Sequence, residues 1–352
     1  MLAIDHKEAD RVPIDWNGEP QVSAALQARL GLRSHEELLR HLHVDIRYAG
    51  IRLRGGRSAR TVLPDGGEED IWGVRRRHHP LHGGYVYHHP LAHLETKADL
   101  DDYPWPDPDA LEYESYPAIV DSLGDYARMG GWANRILWTG IELVGLEKFM
   151  LMLSEKPDLV HALFTRITDY YYEVGSRSYP LVRGKLDIVS HGSDFGTQLD
   201  LWMSLPMWRE FVKPYFARMF ALAKENGFRV YLHSDGAIRK VIPDLIEIGL
   251  DVLNPIQVGA AGMDPAGLKR DFGDKLCFHG SVDVQKTLPF GTTEEVRREV
   301  IDRLQTLGPG GGFILSCSHS LLPDVPLQNI ETMYDTAYRA GRYGSLGKLA
   351  PQ

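Results

Sequence analysis

The stretch RVYLHSDGAIRKVIPDLIEIGLDVLNPIQ, residues 229–257, carries the reading on which the fold turns. It opens with a short aliphatic and aromatic run at 229–233, then meets the polar cluster Ser234-Asp235-Gly236. A helical pattern follows over 237–248, Gly249 ends it, and a second aliphatic run occupies 252–256. Strand, helix and strand in that order within about 30 residues form a βαβ unit, because parallel neighbours need a long crossover.

The same rhythm extends in both directions. Strand-like runs stand at 12–16, 45–51, 135–140, 186–191, 229–233, 252–256, 276–279 and 312–316, eight in all. Helical patterns cover 146–179 (divided at Pro157), 206–226, 237–248, 265–272, 293–307 and 326–342. Pro206, Pro265 and Pro326 stand where a first helical turn tolerates a missing N–H. Gly227, Gly249, Gly273 and Gly308 follow helices as stop residues. The alternation predicts an α/β chain folded as one (β/α)8 TIM barrel, a single domain over 1–352. Residues 55–107 interrupt it, being rich in Gly, Pro, His and Arg with alternating runs such as 84–87. They read as a hairpin-bearing insertion after strand 2, shaping the barrel mouth. An open doubly wound sheet is the rival fold. Its best support, Pro309-Gly310-Gly311-Gly312, precedes a strand, whereas a dinucleotide fingerprint opens a helix.

Composition narrows the function. Hydrophobic residues make up 43% of the 352 and charged residues 25%, enough for a sizeable core. A net charge of -9 argues against nucleic acid or an anionic membrane surface as partner. Two cysteines, Cys277 and Cys317, exclude a disulfide framework and suit a reducing cytoplasm. No apolar run approaches the roughly 20 residues of a membrane span, and the charged start carries no signal-peptide core. A soluble cytoplasmic protein is expected, with a homo-oligomer left open.

Barrels of parallel strands place reactive groups at the C-terminal strand ends. Those ends offer Asp15, Asn17 and Glu19; Arg47; Glu142; His191 and Asp194; His233 and Asp235; Gln257; His279, Asp283 and Gln285; Cys317 and His319. His233-Ser-Asp235 and Cys317-Ser-His319 are the sharpest pair, because residues two apart on extended chain point the same way. Imidazole, carboxylate and thiolate together suit Zn2+, so His233, Asp235, Cys317 and His319 form a candidate metal set. The plainer reading keeps both histidines as hydrogen-bonding residues and Cys317 as a small buried hydrophobe. Cys277, inside an apolar run, reads as core. The run Arg75-Arg76-Arg77-His78-His79 reads as a solvated hairpin face or an anion-binding lip. Trp72, Tyr85, Tyr87 and Trp105 of the insertion either stack on a flat substrate or simply pack the hairpin down, and aromatics of the insertion are expected to line the pocket.

Several stretches resemble one family in the right order. They are 6–15 (HKEADRVPID), 44–47 (VDIR), 192–198 (GSDFGTQ), 232–236 (LHSDG), 249–257 (GLDVLNPIQ), 279–283 (HGSVD) and 326–330 (PLQNI). Together they span about 6–343 and resemble the uroporphyrinogen-decarboxylase/methyltransferase superfamily, which independently implies a (β/α)8 barrel. True decarboxylases of that superfamily carry an N-terminal arginine pair that grips substrate carboxylates; here the segment reads Asp15-Trp-Asn-Gly-Glu-Pro20. His319 matches a histidine of the decarboxylases. The methyltransferase branch holds zinc through a His-x-Cys element and a later cysteine, with a corrinoid protein as methyl partner. His233 matches the first ligand, Asp235 stands in place of the cysteine, and Cys317 and His319 fall near the last.

The resemblance and the residues together lead us to expect a methyltransferase of the O-demethylase type. It would move a methyl group from a small methylated donor, such as a methoxylated aromatic, to a corrinoid protein with Zn2+ assistance. The expected catalytic residues are His233, Asp235, His319, Glu142 and Asp194, and the expected substrate-binding residues are Arg47, Gln198, Gln257, Asp283 and Trp72. The alternative is a carboxy-lyase with Arg47 as carboxylate clamp. A non-catalytic tetrapyrrole-binding barrel would not need such a concentration of acid–base groups.

Overall fold

The structure is a computed structural model that describes residues 1–78 and 85–346. His79 and Gly84, named above, lie outside the described residues. Its centre is a parallel sheet of seven strands whose spatial order follows the chain. We number them β1 (Ile46–Ala49), β2 (Ala127–Asn134), β3 (Ile188–Gly192), β4 (Arg229–His233), β5 (Val252–Asn254), β6 (Cys277–Val282) and β7 (Phe313–Cys317). Each pairs in parallel with the next, and the long connections return over the outer face, as parallel pairing demands.

Residues 12–16 form no ladder of their own, yet they touch both edges of this sheet. Ile14 makes a parallel bridge to Leu315 of β7, with Asp15 N donating to Leu315 O at 2.9 Å and Leu315 N to Pro13 O at 2.8 Å. On the other side Asp45 N donates to Ile14 O at 2.8 Å. The Arg11 guanidinium clips the Asp45 carboxylate at 2.7 and 2.8 Å. The expected first strand is therefore an irregular stave between β7 and β1, and the sheet is barrel-like.

Period two sorts each strand. Ile46, Met129, Ile188, Tyr231, Val252, Cys277 and Ile314 point inward and form a small interior core, with Ala3 and Ile4 of the N-terminal turn packed against them. The intervening side chains, such as Val189, Val230 and Leu253, join the larger core between sheet and helices. Cys277 is fully buried in the interior core, as its apolar run suggests.

One expected strand is wrong. Residues 136–140 belong to the helix Ile136–Val144, which Arg135 precedes, and the third stave of the sequence reading is instead Ala127–Asn134. The helix is buried on nearly every side, so it shows no amphipathic stripe, and a short apolar run cannot be told from a buried strand by periodicity. The true strand hides behind its glycines: a Cβ on Gly130 would lie 2.6 Å from the Ala49 carbonyl oxygen. Two helices between residues 16 and 45, Pro20–Leu30 and His35–His41, also escaped the sequence reading.

The short helices Lys97–Asp101, Tyr116–Asp121 and Thr287–Phe290 were not expected either, whereas the helices that were expected lie near their places. Leu146–Glu155 and Pro157–Ser178 divide at Pro157, and Pro265–Phe272 and Thr293–Leu307 coincide with their patterns. Gly227 and Gly249 take positive φ at their stops, while Gly273 and Gly308 remain in the right-handed region. Within 55–107 the strands Arg60–Val62, Glu68–Asp70, Arg75–His78 and Tyr85–His88 form an antiparallel four-stranded sheet. Arg75 and Arg76 are ion-paired with Glu69 and Glu68 across it. No helix among the described residues is long and apolar enough to cross a membrane.

Candidate active site at the mouth of the sheet

A cavity of about 890 Å³ opens at the C-terminal ends of the strands. Its walls carry Trp16, Tyr48, Trp138 and Tyr231, and its rim carries Arg135, Asp194, His233 and His319. The period-two rule places Tyr48, Ser190, His233, Asn254 and His279 one layer above the interior core, all facing this space. Helix Pro20–Leu30 supplies Pro20, Ser23 and Gln27 to the opposite wall.

His233 ends β4, and Asp235 follows it before Gly236, whose φ of 96° turns the chain away. His319 stands two residues past the end of β7. These three bring one donor atom each to within 4.8 Å of one another. His233 Nε2 lies 3.5 Å and His319 Nε2 3.3 Å from the same oxygen, Asp235 Oδ2. Asp194 Oδ1 stands 3.7 Å from His233 Nε2 and accepts the Asp235 backbone N–H at 3.1 Å. Burial pulls the His233 pKa down, but the hydrogen bond and charge of Asp235, with the charge of Asp194, outweigh it and leave the pKa raised.

Beneath His233 a chain of polar groups descends into the interior. His233 Nδ1 lies 2.6 Å from Asn254 Oδ1, and Asn254 Nδ2 lies 2.7 Å from His279 Nδ1. His279 Nε2 lies 3.0 Å from Asp15 Oδ2, which also accepts the Tyr48 hydroxyl. Asp15 Oδ1 takes the Trp16 backbone N–H at 2.8 Å. Asp15, His279 and Asn254 are at most 2% exposed. Burial, and secondarily the Asp15 charge, hold the Tyr231 phenol well above its ordinary pKa.

The structure divides the expected site residues. His233, Asp235, His319 and Asp194 come together. Cys317 does not: it is 1% exposed, packs in the outer core, donates to the Asn17 carbonyl at 3.4 Å, and burial pushes its thiol up to about 12. Turning of the chain after β7 sends only His319 to the cluster. Glu142 lies on the buried helix, not at a strand end, and pairs at 3.4 Å with Arg135, which does line the cavity. Arg47 alternates with Tyr48 and so faces outward, buried, with its guanidinium on Glu36 at 2.8 Å and over the Tyr126 ring.

Gln257 accepts the Gly236 N–H at 2.6 Å and lines a separate cavity of about 260 Å³ that shares Asp235 and His319. Gln198 is exposed in the loop after β3, and Asp283 accepts the N–H of Gln285 at 2.7 Å as a turn cap. Trp72 packs edge-on to Tyr170 at 5.0 Å and pins its segment to the helix Pro157–Ser178. Among the described residues none from 55–107 lines the main cavity, so its aromatic walls come from the barrel-like core itself. His191 also faces outward, bonded to Asn134 at 2.8 Å, and burial lowers its pKa to about 3. Tyr48, Arg135, Trp138, Tyr231 and Asn254 were missed; for Tyr48, Tyr231 and Asn254, counting by twos from Ile46, His233 and Val252 was the available signal.

Known proteins agree with this architecture. The family model for uroporphyrinogen decarboxylase (URO-D) matches residues 91–340. The uroporphyrinogen decarboxylase of Pseudoalteromonas translucida is 32% identical over 114 residues, 28% of this chain and 32% of that protein. The Gloeobacter violaceus enzyme of the same name is 25% identical over 193 residues, 53% of this chain and 50% of its own. The chain thus spans about a third and a half of these two relatives' lengths, whereas the Myxococcus xanthus relative aligns at 24% identity over 72% of each chain. In three dimensions the chain is similar to a methyltransferase from Methanosarcina mazei, with TM-score 0.64, 19% identity and 96% of both chains covered. A family match over most of the chain, on a parallel sheet whose strand ends gather acid and imidazole groups, assigns this protein to the uroporphyrinogen decarboxylase (URO-D) family.

Proposed function

We propose that this protein is a zinc-assisted methyltransferase of its family, moving a methyl group from a small methylated donor to a corrinoid protein. We read the whole chain as one (β/α)8 barrel, with residues 12–16 as the eighth stave and 55–107 as an insertion after the first strand of the regular sheet. The observation that carries the function is the donor set His233, Asp235 and His319, converging within 4.8 Å at a strand-end cavity of about 890 Å³. Two imidazoles and one carboxylate fit zinc with an open fourth position, and the Asn254 hydrogen bond behind His233 is the outer support such ligands use. Zinc held by these three residues would polarise the ether oxygen of a bound donor and so improve the leaving group.

The chain's own residues supply the rest. Trp16, Tyr48, Trp138 and Tyr231 offer faces for a flat ring and keep water from it. The volume suits a small-molecule ligand. Asp194 stands outside the donor set, placed to accept a hydrogen bond from a donor hydroxyl and to hold His233 in orientation. Arg135 is the one arginine lining the cavity among the described residues. A tetrapyrrole octacarboxylate would require several cations there. A carboxy-lyase acting on a smaller carboxylated substrate is the second reading, favoured by Arg135 as the available clamp.

The deciding assay mixes the purified protein with methoxylated aromatics and a reduced corrinoid protein, with zinc content measured on the same sample. Methyl transfer is expected. Release of carbon dioxide from uroporphyrinogen without methyl transfer would overturn the proposal.

A further inference from the structure

The proton on His233 is set three residues away, by a carboxylate that touches no ligand. Asp15 as a carboxylate can only accept, and it receives three donors, from Trp16 N, Tyr48 OH and His279 Nε2. His279 donates from Nε2, and its Nδ1 accepts, because the Asn254 amide group that faces it can only donate. That group is the NH2, at 2.7 Å. The amide oxygen is left facing His233, so His233 donates from Nδ1 at 2.6 Å and keeps its Nε2 lone pair for the cluster. Every hydrogen bond has one permitted direction, and Asp15, Asn254 and His279 are each at most 2% exposed.

From this one-way chain we infer that Asp15, His279 and Asn254 are positioning residues that hold His233 in its Nδ1–H tautomer, the form able to ligate through Nε2. The inference rests on the metal reading above for its purpose, but its geometry is independent of any metal.

A change at position 15 tests the inference without altering volume. In D15N the Trp16 N–H still requires an oxygen at the Oδ1 position. The introduced NH2 must therefore face Tyr48 and His279. His279 Nε2 becomes an acceptor and its proton moves to Nδ1; the Asn254 amide rotates to present its oxygen; and His233 accepts at Nδ1 and carries its proton on Nε2. No proton is gained or lost. The double variant D15N/N254D restores the original state, because a carboxylate at position 254 accepts from both His279 Nδ1–H and His233 Nδ1–H.

The measurement is 15N–1H spectroscopy of histidine-labelled, metal-free protein at a pH where His233 is neutral, with zinc affinity measured separately. The neutral His233 ring should be Nδ1–H in the wild type, Nε2–H in D15N and Nδ1–H again in the double variant. Zinc affinity should fall about 10–100-fold in D15N and recover in the double variant, the range seen when an outer-shell partner of a ligand is lost. A merely structural role for Asp15 predicts no recovery. An unchanged His233 tautomer in D15N overturns the inference whatever zinc does. A switched tautomer in a protein that never binds zinc upholds the inference and removes the metal reading. If D15N does not fold, the wild type alone decides: His279 should carry its proton on Nε2 and His233 on Nδ1, and the opposite tautomer of either ring refutes the chain.

Discussion

Replacing Arg47 by methionine separates two roles for a residue that the sequence places at a strand end. In the structure Nη1 donates to the carbonyls of Val44 at 2.9 Å and Ile46 at 3.0 Å, and Nε and Nη2 hold Glu36 at 2.8 and 3.2 Å. The guanidinium also lies 3.8 Å over the Tyr126 ring. Methionine keeps the length of the stem and removes every one of these contacts. A buried acceptor that loses its donor costs about 1–3 kcal/mol, at the low end where it keeps another partner. The ion pair to the partly exposed Glu36 adds about 1 kcal/mol or less. The cation–π contact is worth about 1 kcal/mol. Arg47→Met should therefore destabilise the fold by about 3 kcal/mol. At this chain length the unfolding entropy corresponds to roughly 0.7 kcal/mol per degree, so Tm should fall by about 4 °C. KM for the donor should stay within about twofold, because no atom of Arg47 lines the cavity. Thermal unfolding by circular dichroism and steady-state kinetics read the two effects separately. A tenfold rise in KM with unchanged Tm would refute the reasoning and restore Arg47 as a substrate clamp.

Further outcomes follow from the site and its supports. His319→Ala should lose zinc while Cys317→Ser retains it, measured by metal analysis after dialysis; the reverse pattern would show that the thiol turns to the metal. Zinc uptake by His233 displaces its proton, so affinity should weaken by about tenfold per pH unit as pH falls below the raised His233 pKa. For the metal-free protein the same raised value means that protonated His233 adds stability below the unfolded imidazole pKa, and this is lost as pH rises through the folded value. Calorimetric zinc titrations in buffers of different ionisation enthalpy check the proton count. Trp138→Ala should raise KM for an aromatic donor by about tenfold with kcat changed less, as expected for a lost stacking wall. Asp244 is buried, which alone would raise its pKa, yet Arg209 and Lys213 hold it lowered. Its contribution is complete above the unfolded carboxyl pKa of about 4 and disappears as pH falls through the lower folded value. Asp244→Asn should thus be less stable than wild type at pH 7, with the gap closing in acid; a gap independent of pH would disprove this.

What could be read from the sequence depended on how each residue is buried. The βαβ stretch at 229–257 was legible because its strands are one-register apolar runs with polar ends, and His233 and Asp235 sit where those ends predict. The strand at Ala127–Asn134 was not, since its glycines serve close approach to β1 instead of advertising a pleated surface. Arg47 and Tyr48 show how sharply the period matters: a one-residue offset separates a buried outward guanidinium from a cavity-facing phenol. Cys317 and His319 were inseparable by spacing alone, because the chain leaves extended geometry after β7 and the two-residue rule lapses there. Asn254 carries no ionisable group, so a search for acids and imidazoles passed over the amide that joins them.

The stave at residues 12–16 makes the order of synthesis matter. Asp15 leaves the ribosome some three hundred residues before Leu315, the backbone partner of its segment. Until β7 emerges, a nascent chain has an unpaired sheet edge, an Asp15 without its Leu315 neighbour, and no His319. Closure by such a distant contact is entropically slow compared with the local helix–strand steps that precede it. Folding and assembly of the donor set are therefore completed by the same late event, and a polypeptide arrested before residue 313 can hold neither the seam nor the cluster.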